Sequence, residues 1–233
     1  MAHPDVQDEQ RLTAKGRATR DRIVQAAAQL IVTEGLSASN MENVRKAASV
    51  SGSQLAHYFA DKSALIRAVI RRQIGVVLDF HRQPGLRDLD SFDDFERWID
   101  LNMRYLRRIG TSGGTPTYHA LTAQLAKSDG ATRGTLAAGY WQWVELLESA
   151  IQRMKDKGVL MASADPRRLA LAIIGAHQGG ATLAFTYREE WPHANATRFA
   201  VNYLRMFAAD PAERAPRPPR RPRARRAKPT AAT

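Results

Sequence analysis

The 233-residue chain has no cysteine, which excludes a disulfide framework, thiolate metal sites and cysteine nucleophiles together and fits a reducing cytoplasm. Aromatic residues are sparse at 7%, and alternating runs of strand type are hard to find. Catalytic signatures are missing too: there is no HExxH, no GxGxxG after a strand, no P-loop and no GxSxG, so no enzymatic activity is expected. Six histidines stand at 3, 57, 81, 119, 177 and 193. They never fall at paired metal-ligand spacing, so neither a metal nor a cofactor is expected. Asp93-Asp94 and Glu189-Glu190 read as caps or solvated charge rather than acid/base pairs. The start, MAHPDVQDEQ, has no basic n-region and no apolar core, so no secretory signal is expected.

What the chain does have is positive charge. Thirty-five Lys and Arg against 23 Asp and Glu leave +12, which favours a polyanionic partner. Residues 1–10 carry −3, residues 11–62 carry +4, residues 63–209 carry +5, and the last 24 residues carry +6. Half of the excess therefore lies in a tenth of the chain. That tail, DPAERAPRPPRRPRARRAKPTAAT, holds six of the eleven prolines and too little apolar surface to offset ordering entropy, so disorder is expected from 210 to 233. It reads as an inert terminus, a non-specific nucleic-acid tether or a membrane-surface contact.

Elsewhere the pattern is helical. From Thr19, the residues Ile23, Ala26, Ala27, Leu30 and Ile31 form one apolar stripe that ends at Gly35. A short helix follows from Ser39 or Asn40, with Met41, Val44 and Ala48 inward. After the bend SVS, the capping box Ser51-x-x-Gln54 opens a second short helix anchored by Leu55 and Phe59. Asp61 caps a longer helix that Pro84-Gly85 closes. Five more helical patterns follow: Ser91 to about Ile109, a shorter one around Tyr118, Leu121 and Leu125, about Thr132 to Lys157, Pro166 to about Tyr187, and roughly His193 to Ala209. The chain reads as all-α. Leu169 to Tyr187 carries no formal charge, yet its glycines, threonines, His177 and Gln178 fit a packed interface helix better than a membrane span.

The two short helices at 39–59 have the geometry that places a second helix in a major groove. With Leu55 and Phe59 inward, Gly52, Ser53, Gln54, His57 and Tyr58 remain for the outside. Gln54 and Ser53 suit base edges or phosphate, or else cap the helix; His57 and Tyr58 suit backbone oxygens, though Tyr58 could equally pack on the next helix. Lys62 sits where its ammonium and a helix N-terminus can share a phosphate. Arg17, Arg20 and Arg22 add non-specific attraction.

The segment TRDRIVQAAAQLIVTEGLSASNMENVRKAASVSGSQLAHYFADKSAL resembles the N-terminal domain of the tetracycline-repressor (TetR) family of bacterial regulators. The elements carrying the likeness are the opening TR..I..AA..L, the EGL turn, the bend from Ala48 to Ser51, and the L-x-H-Y-F-x-x-K-x-x-L string from Leu55 to Leu65. The resemblance implies a flexible N-terminus to residue 12, a three-helix DNA-binding domain over 13–62, and a larger helical body over 63–209 that binds an effector and dimerises. It implies a cytoplasmic homodimer, most often a repressor, that binds double-stranded palindromic operator DNA and is released by a small molecule, without a membrane partner. DNA contacts are expected from Asn40, Arg45, Ser51, Gly52, Ser53, Gln54, His57, Tyr58 and Lys62. Three positions depart from the family: it usually has glycine at Ser49, a small residue at Arg45 and tyrosine at Ala56. Arg45 is then an extra phosphate contact. The other DNA reading is a low-specificity nucleoid-type binder acting through the tail.

In the body, Trp98, Met103, Tyr118, His119, Trp141 and His177, with Trp143 and Phe185, are candidates for an apolar pocket, or else ordinary core. Gly175, Gly179, Gly180, Leu183 and Tyr203 are candidates for a two-fold four-helix dimer interface.

Overall fold

A computed structural model of the protein describes residues 12–111 and 114–215. Among these residues the chain forms nine α-helices: α1 Ala14–Glu34, α2 Met41–Ala47, α3 Gly52–Tyr58, α4 Lys62–Arg82, α5 Phe92–Ile109, α6 Tyr118–Leu125, α7 Gly130–Asp156, α8 Pro166–Tyr187 and α9 Trp191–Arg205. The boundaries follow from local chemistry. Thr13, Asn40, Ser51, Asp61, Ser91, Thr117, Asp129 and Asp165 each accept a hydrogen bond from the backbone N–H three residues on, which opens α1 to α8 in turn. Each such cap contributes about 1 kcal/mol. Only α9 starts without one, on Trp191-Pro192.

Helices α1 to α3 form the head. Ile23, Val24, Ala27, Ala28 and Ile31 of α1 meet Val44, Ala48, Val50, Leu55 and Phe59 in its core. Helix α1 also packs on α4 and α6, while α4 packs on α7, α8 lies between α7 and α9, and α9 covers α5. One buried cluster runs through head and body. Helix α4 has 21 residues, which is about 32 Å at 1.5 Å per residue, so a single rod runs from the head into the body.

The observed helices differ from the sequence reading in places with clear causes. Helix α1 begins at Ala14 rather than Thr19 because Thr13 caps it. Helix α9 stops at Arg205 because the chain then turns back to pair with the α7–α8 loop: Met161 N–H donates to Phe207 O at 2.8 Å and Ala209 N–H to Val159 O at 2.9 Å. The boundary at 210 is also too early. Residues Pro211–Arg214 form a 3₁₀ turn, Arg214 Nε donates to Ala208 O at 2.9 Å, and Glu213 pairs with the buried Arg205 at 2.9 Å. Arg205 further pairs with the buried Glu96 and lies 4.6 Å from the Phe92 ring centre. The rest of the expected basic tail, from 216, and the N-terminal segment 1–11 lie outside the described residues.

Helix α8 is long and apolar enough to cross a bilayer by length and composition. Its buried face, Leu169, Ala170, Ile173, Ile174, Gly180, Ala181 and Ala184, packs on α7 and α9. At Gly180 α9 approaches closely. A Cβ there would stand 2.8 Å from Ala196 Cβ and 3.0 Å from His193 Cα.

Candidate nucleic-acid interface and body cavity

The exposed surface of the head is set by its own hydrogen bonds. Ser51 Oγ accepts from Gln54 N–H at 3.1 Å, and Ser51 N–H donates to Gln54 Oε1 at 2.9 Å, closing a reciprocal capping box. Ser53 Oγ lies 2.9 Å from Ser51 Oγ. Ser51, Gly52, Ser53, Gln54 and His57 are all exposed on one short helix, and nothing lies within 4 Å of a Cβ built on Gly52. Gln54 keeps its amide N–H groups beyond the cap. Tyr58 is half-buried against the core, with its ring 4.9 Å from that of His57. Asn40 is exposed and caps α2, accepting from Asn43 N–H at 2.9 Å.

Four of the cations expected to meet phosphate are engaged within the head. Arg45 is held by Glu42 through two contacts of 2.7 and 2.8 Å. The same hydrogen bonds hold the Glu42 carboxyl down at about 2, with the Arg45 and Lys46 charges helping. Arg22 Nε donates to Ala48 O at 3.0 Å, tying α1 to the turn before α3, and Arg20 lies 5.2 Å from the Phe59 ring centre. Lys62 Nζ donates to Leu36 O at 2.7 Å. These four side chains brace the head. The two remaining ammonium hydrogens of Lys62 are the part of that group left for a ligand.

In the body, α4 to α9 line a part-open cavity of about 100 Å³. Its wall holds His81 of α4, Asn102 of α5, Tyr118 and His119 of α6, Trp143 of α7, His177 and Gln178 of α8 and His193 of α9, together with apolar side chains such as Phe80, Leu106 and Phe185. Among the described residues no Asp, Glu, Lys or Arg lines it. Four of the six histidines meet here.

Their tautomers follow from their partners. His81 Nδ1–H donates to Val77 O at 2.8 Å, and its Nε2 accepts from Trp98 Nε1–H at 2.9 Å and Trp143 Nε1–H at 3.4 Å. Asn102 donates to Trp98 O at 2.8 Å, which turns its Oδ1 toward His177 Nε2 at 3.1 Å. His177 therefore carries its proton on Nε2, and its Nδ1, shielded from solvent, is a bare acceptor without a protein partner. His119 Nδ1 is 3.1 Å from Gln178 Oε1, and Phe185 stacks on its ring. Burial holds all four imidazoles neutral. It pushes His81 down to about 4 against the pull of the Val77 carbonyl, His193 down to about 4, and His119 below its usual range. His177 is lowered well below its usual range by burial and then by the other three rings. Burial likewise raises Tyr105 and Tyr118.

Of the candidates named from sequence, Tyr118, His119 and His177 line this cavity, as do Trp143 and Phe185. Trp98 and Met103 do not. Both are buried, and Trp98 stands behind the wall, where it fixes His81. Trp141 is also absent from the wall: it is 44% exposed, with Arg167 4.7 Å from its ring centre. Sequence reasoning missed His81, His193, Asn102 and Gln178. The available signal was a polar residue repeating an apolar stripe, as in Gln73, Val77 and His81 on α4 or Ile173, His177 and Ala181 on α8.

On the outer face of α8 and α9, Leu171, Gly175, Gly179, Leu183 and Tyr187 recur every four residues and are exposed. Trp191, Phe199, Tyr203 and Met206 extend this apolar face, with Phe199 at 74% exposure. Gly180 does not belong to it, because it is buried at the α8–α9 contact inside the protomer.

The family described as bacterial regulatory proteins, tetR family, matches residues 23–69, and the tetracyclin repressor-like C-terminal domain matches residues 95–200. No curated protein matches the chain. Among solved structures, the regulatory protein TetR from Rhodobacter sphaeroides superposes with a TM-score of 0.67 at 19% identity, over 79% of this chain and 98% of that one. Reduced NemR from E. coli gives 0.66 at 20% identity, over 83% and 99%. A TetR transcriptional regulator from Chloroflexus aurantiacus gives 0.67 at 21%, over 82% and 96%. With a family match in both the helix-turn-helix head and the helical body, the chain belongs to the TetR family of DNA-binding transcriptional regulators.

Proposed function

We propose that the protein is a cytoplasmic, ligand-responsive repressor that binds a palindromic operator as a homodimer and is released when a small molecule occupies the cavity. The observation that carries this reading is the continuity of α4. Its first residue, Lys62, is bonded to the head at Leu36, and Gln73, Val76, Val77, Phe80 and His81 of the same helix line the cavity. A ligand that displaces the distal half of a rod this long tilts its near end. Two heads so tilted no longer match half-sites one helical turn apart. A second tie runs through α1, where Gln29 Nε2 donates to Gly114 O at 2.7 Å in the segment leading to α6. Ligand and DNA then oppose each other through a population shift, reciprocally.

Dimerisation is assigned to the apolar face of α8 and α9. In a two-fold pairing the exposed Gly175 and Gly179 allow close backbone approach, with Leu183, Phe199 and Tyr203 around them. DNA contact is assigned to Asn40, Arg45, Ser51, Gly52, Ser53, Gln54, His57, Tyr58 and Lys62.

The test begins with selection of bound DNA from a random pool, which yields a palindrome if the reading holds. The double variant His57→Ala, Lys62→Ala then loses specific binding by about 100-fold or more while remaining a folded dimer. Retained operator affinity in that variant contradicts the assignment. Binding that unrelated DNA competes away without preference points instead to a low-specificity DNA binder.

A further inference from the structure

We propose that the body cavity is built for a compact, single-ring aromatic molecule that carries one neutral hydrogen-bond donor, a phenolic hydroxyl or an aromatic N–H, and that this donor is received by Nδ1 of His177. The inference rests on the reading of the cavity as the effector site and supplies that ligand's chemistry.

Size is the first constraint. A cavity of about 100 Å³ is of the same order as the roughly 150 Å³ engineered void that accepts benzene, so its size matches a single ring rather than a fused or multi-ring ligand. Shape is the second. Phe80, Tyr105, Tyr118, Trp143 and Phe185 and the four imidazoles present ring faces and edges, an environment that favours offset or edge-to-face contact with another flat ring.

Polarity is the third constraint and decides the class. His81 is fully bonded, and its Nε2 is occupied by two indole N–H groups, so it has neither a proton nor a lone pair to offer. His119 is engaged with Gln178. His177 gives its one proton to Asn102, whose orientation is fixed by the Trp98 carbonyl, and is left with an acceptor that no protein group meets. His193, whose ring centre is 4.5 Å from that of His177, likewise has an Nδ1 without a hydrogen-bond partner. An acceptor calls for a donor. A carboxylate would need a cation, and among the described residues the wall provides none: Glu96 of α5 pairs with Arg198 and Arg205 of α9, and none of the three lines the cavity. The titratable groups facing His177 from the packed elements are His81 of α4, Tyr105 of α5, Tyr118 and His119 of α6 and His193 of α9. All are held neutral at pH 7 by burial, which disfavours proton uptake to receive an anion.

The experiment uses the full-length protein free of DNA and reads binding by calorimetry and by fluorescence of Trp143 and Trp98. Phenol, anisole, toluene and benzoate are compared at pH 7.5, then phenol and benzoate at pH 6. Phenol is expected to bind about tenfold more tightly than anisole or toluene, one hydrogen bond's difference, with little change at pH 6, and benzoate is expected to bind least. His177→Phe, with folding checked by circular dichroism, removes the preference for phenol over toluene. Because the wild-type series needs no variant, it stands even where His177→Phe fails to fold. Equal binding of anisole and phenol, benzoate binding that strengthens toward pH 6, or no binding of phenol up to millimolar concentration each overturns the proposal. Phenol that binds as expected but leaves operator affinity unchanged supports the pocket chemistry and counts against the regulatory reading alone.

Discussion

Head and body solve the same problem in opposite ways. Both must keep polar groups satisfied around an apolar core, and the head does so at its surface. Its N-caps, the Ser51–Gln54 box, the Arg45–Glu42 pair and the Lys62–Leu36 contact link residues on or near the outside. Its one histidine, His57, is exposed. The body instead carries polar side chains inward, with His81, Asn102 and His193 buried and His177 turned so that its Nδ1 is shielded. A surface reader has to present donors and acceptors to a partner, whereas an interior cavity has to hold a few of them in a low-dielectric wall. The body is therefore the half whose stability depends on keeping buried histidines unprotonated.

That difference gives the largest expected effect. The folded-state values of His81 and His193, each about 4, lie below the unfolded value of about 6.5. Protons then bind the unfolded chain preferentially, so the stabilisation is present above pH 6.5 and is lost as pH falls toward 4. By pH 5 each histidine removes about 2 kcal/mol, and His177 and His119 shift in the same direction. Two such losses are a large part of a typical 5–15 kcal/mol stability. Hydrogen exchange at pH 7.5 and 5.0 should show α4 beyond Gln73, α8 and α9 losing protection before α1 to α3. Equal protection at both pH values, or earlier loss in the head, would break the contrast.

Gly139 tests the cavity wall without changing any charge. A Cβ there would stand 2.9 Å from Tyr118 Cζ and closer still to its hydroxyl oxygen, with Ile74 Cβ 3.3 Å away. Tyr118 cannot retreat cheaply, because it is buried and donates to Leu136 O at 2.7 Å. Gly139→Ala should therefore cost about 1–3 kcal/mol, the range for overpacking, and lower ligand affinity while leaving operator affinity at saturating protein unchanged. A melting temperature within a degree of the parent would show that the wall yields more readily than its packing indicates.

The same contrast explains what could be read from sequence. The fold of the head was legible because it is local: the box at Ser51 and Gln54, the inward pair Leu55 and Phe59 and the cap at Asp61 fall within eleven positions, and each works through neighbours along the chain. Helix α8 was legible for the same reason, since Asp165-Pro166 marks its start. The cavity was not. His81 and His177 are 96 positions apart, and no spacing rule joins residues contributed by six separate helices. Gly180 was assigned to the outer face from composition, but its neighbours on α9 take it inside the protomer. Trp141 and Trp143 show how fine the distinction is: two positions apart on α7, one faces solvent and the other lines the cavity.

The smallest effect belongs to the head and has the opposite sign. Ser49, in the turn between α2 and α3, has φ = 53°, a left-handed conformation that costs an L-residue roughly 1–2 kcal/mol and glycine almost nothing. Among the described residues its side chain has no hydrogen-bond partner that offsets this strain; the turn is held by Ser49 N–H to Lys46 O at 3.1 Å, Val50 N–H to Arg45 O at 3.2 Å and the Arg22 contact to Ala48 O. Glycine gives back part of the gain because it adds freedom to the unfolded chain. Ser49→Gly should then stabilise the protein by about 0.5–1 kcal/mol, read as a rise in denaturation midpoint with an unchanged slope. The added protection should appear in α2 and α3 and be absent from the cavity helices. Destabilisation would mean that serine at this turn makes a contact in solution that its left-handed backbone conceals, and a gain spread evenly over all nine helices would mean that head and body unfold as one unit.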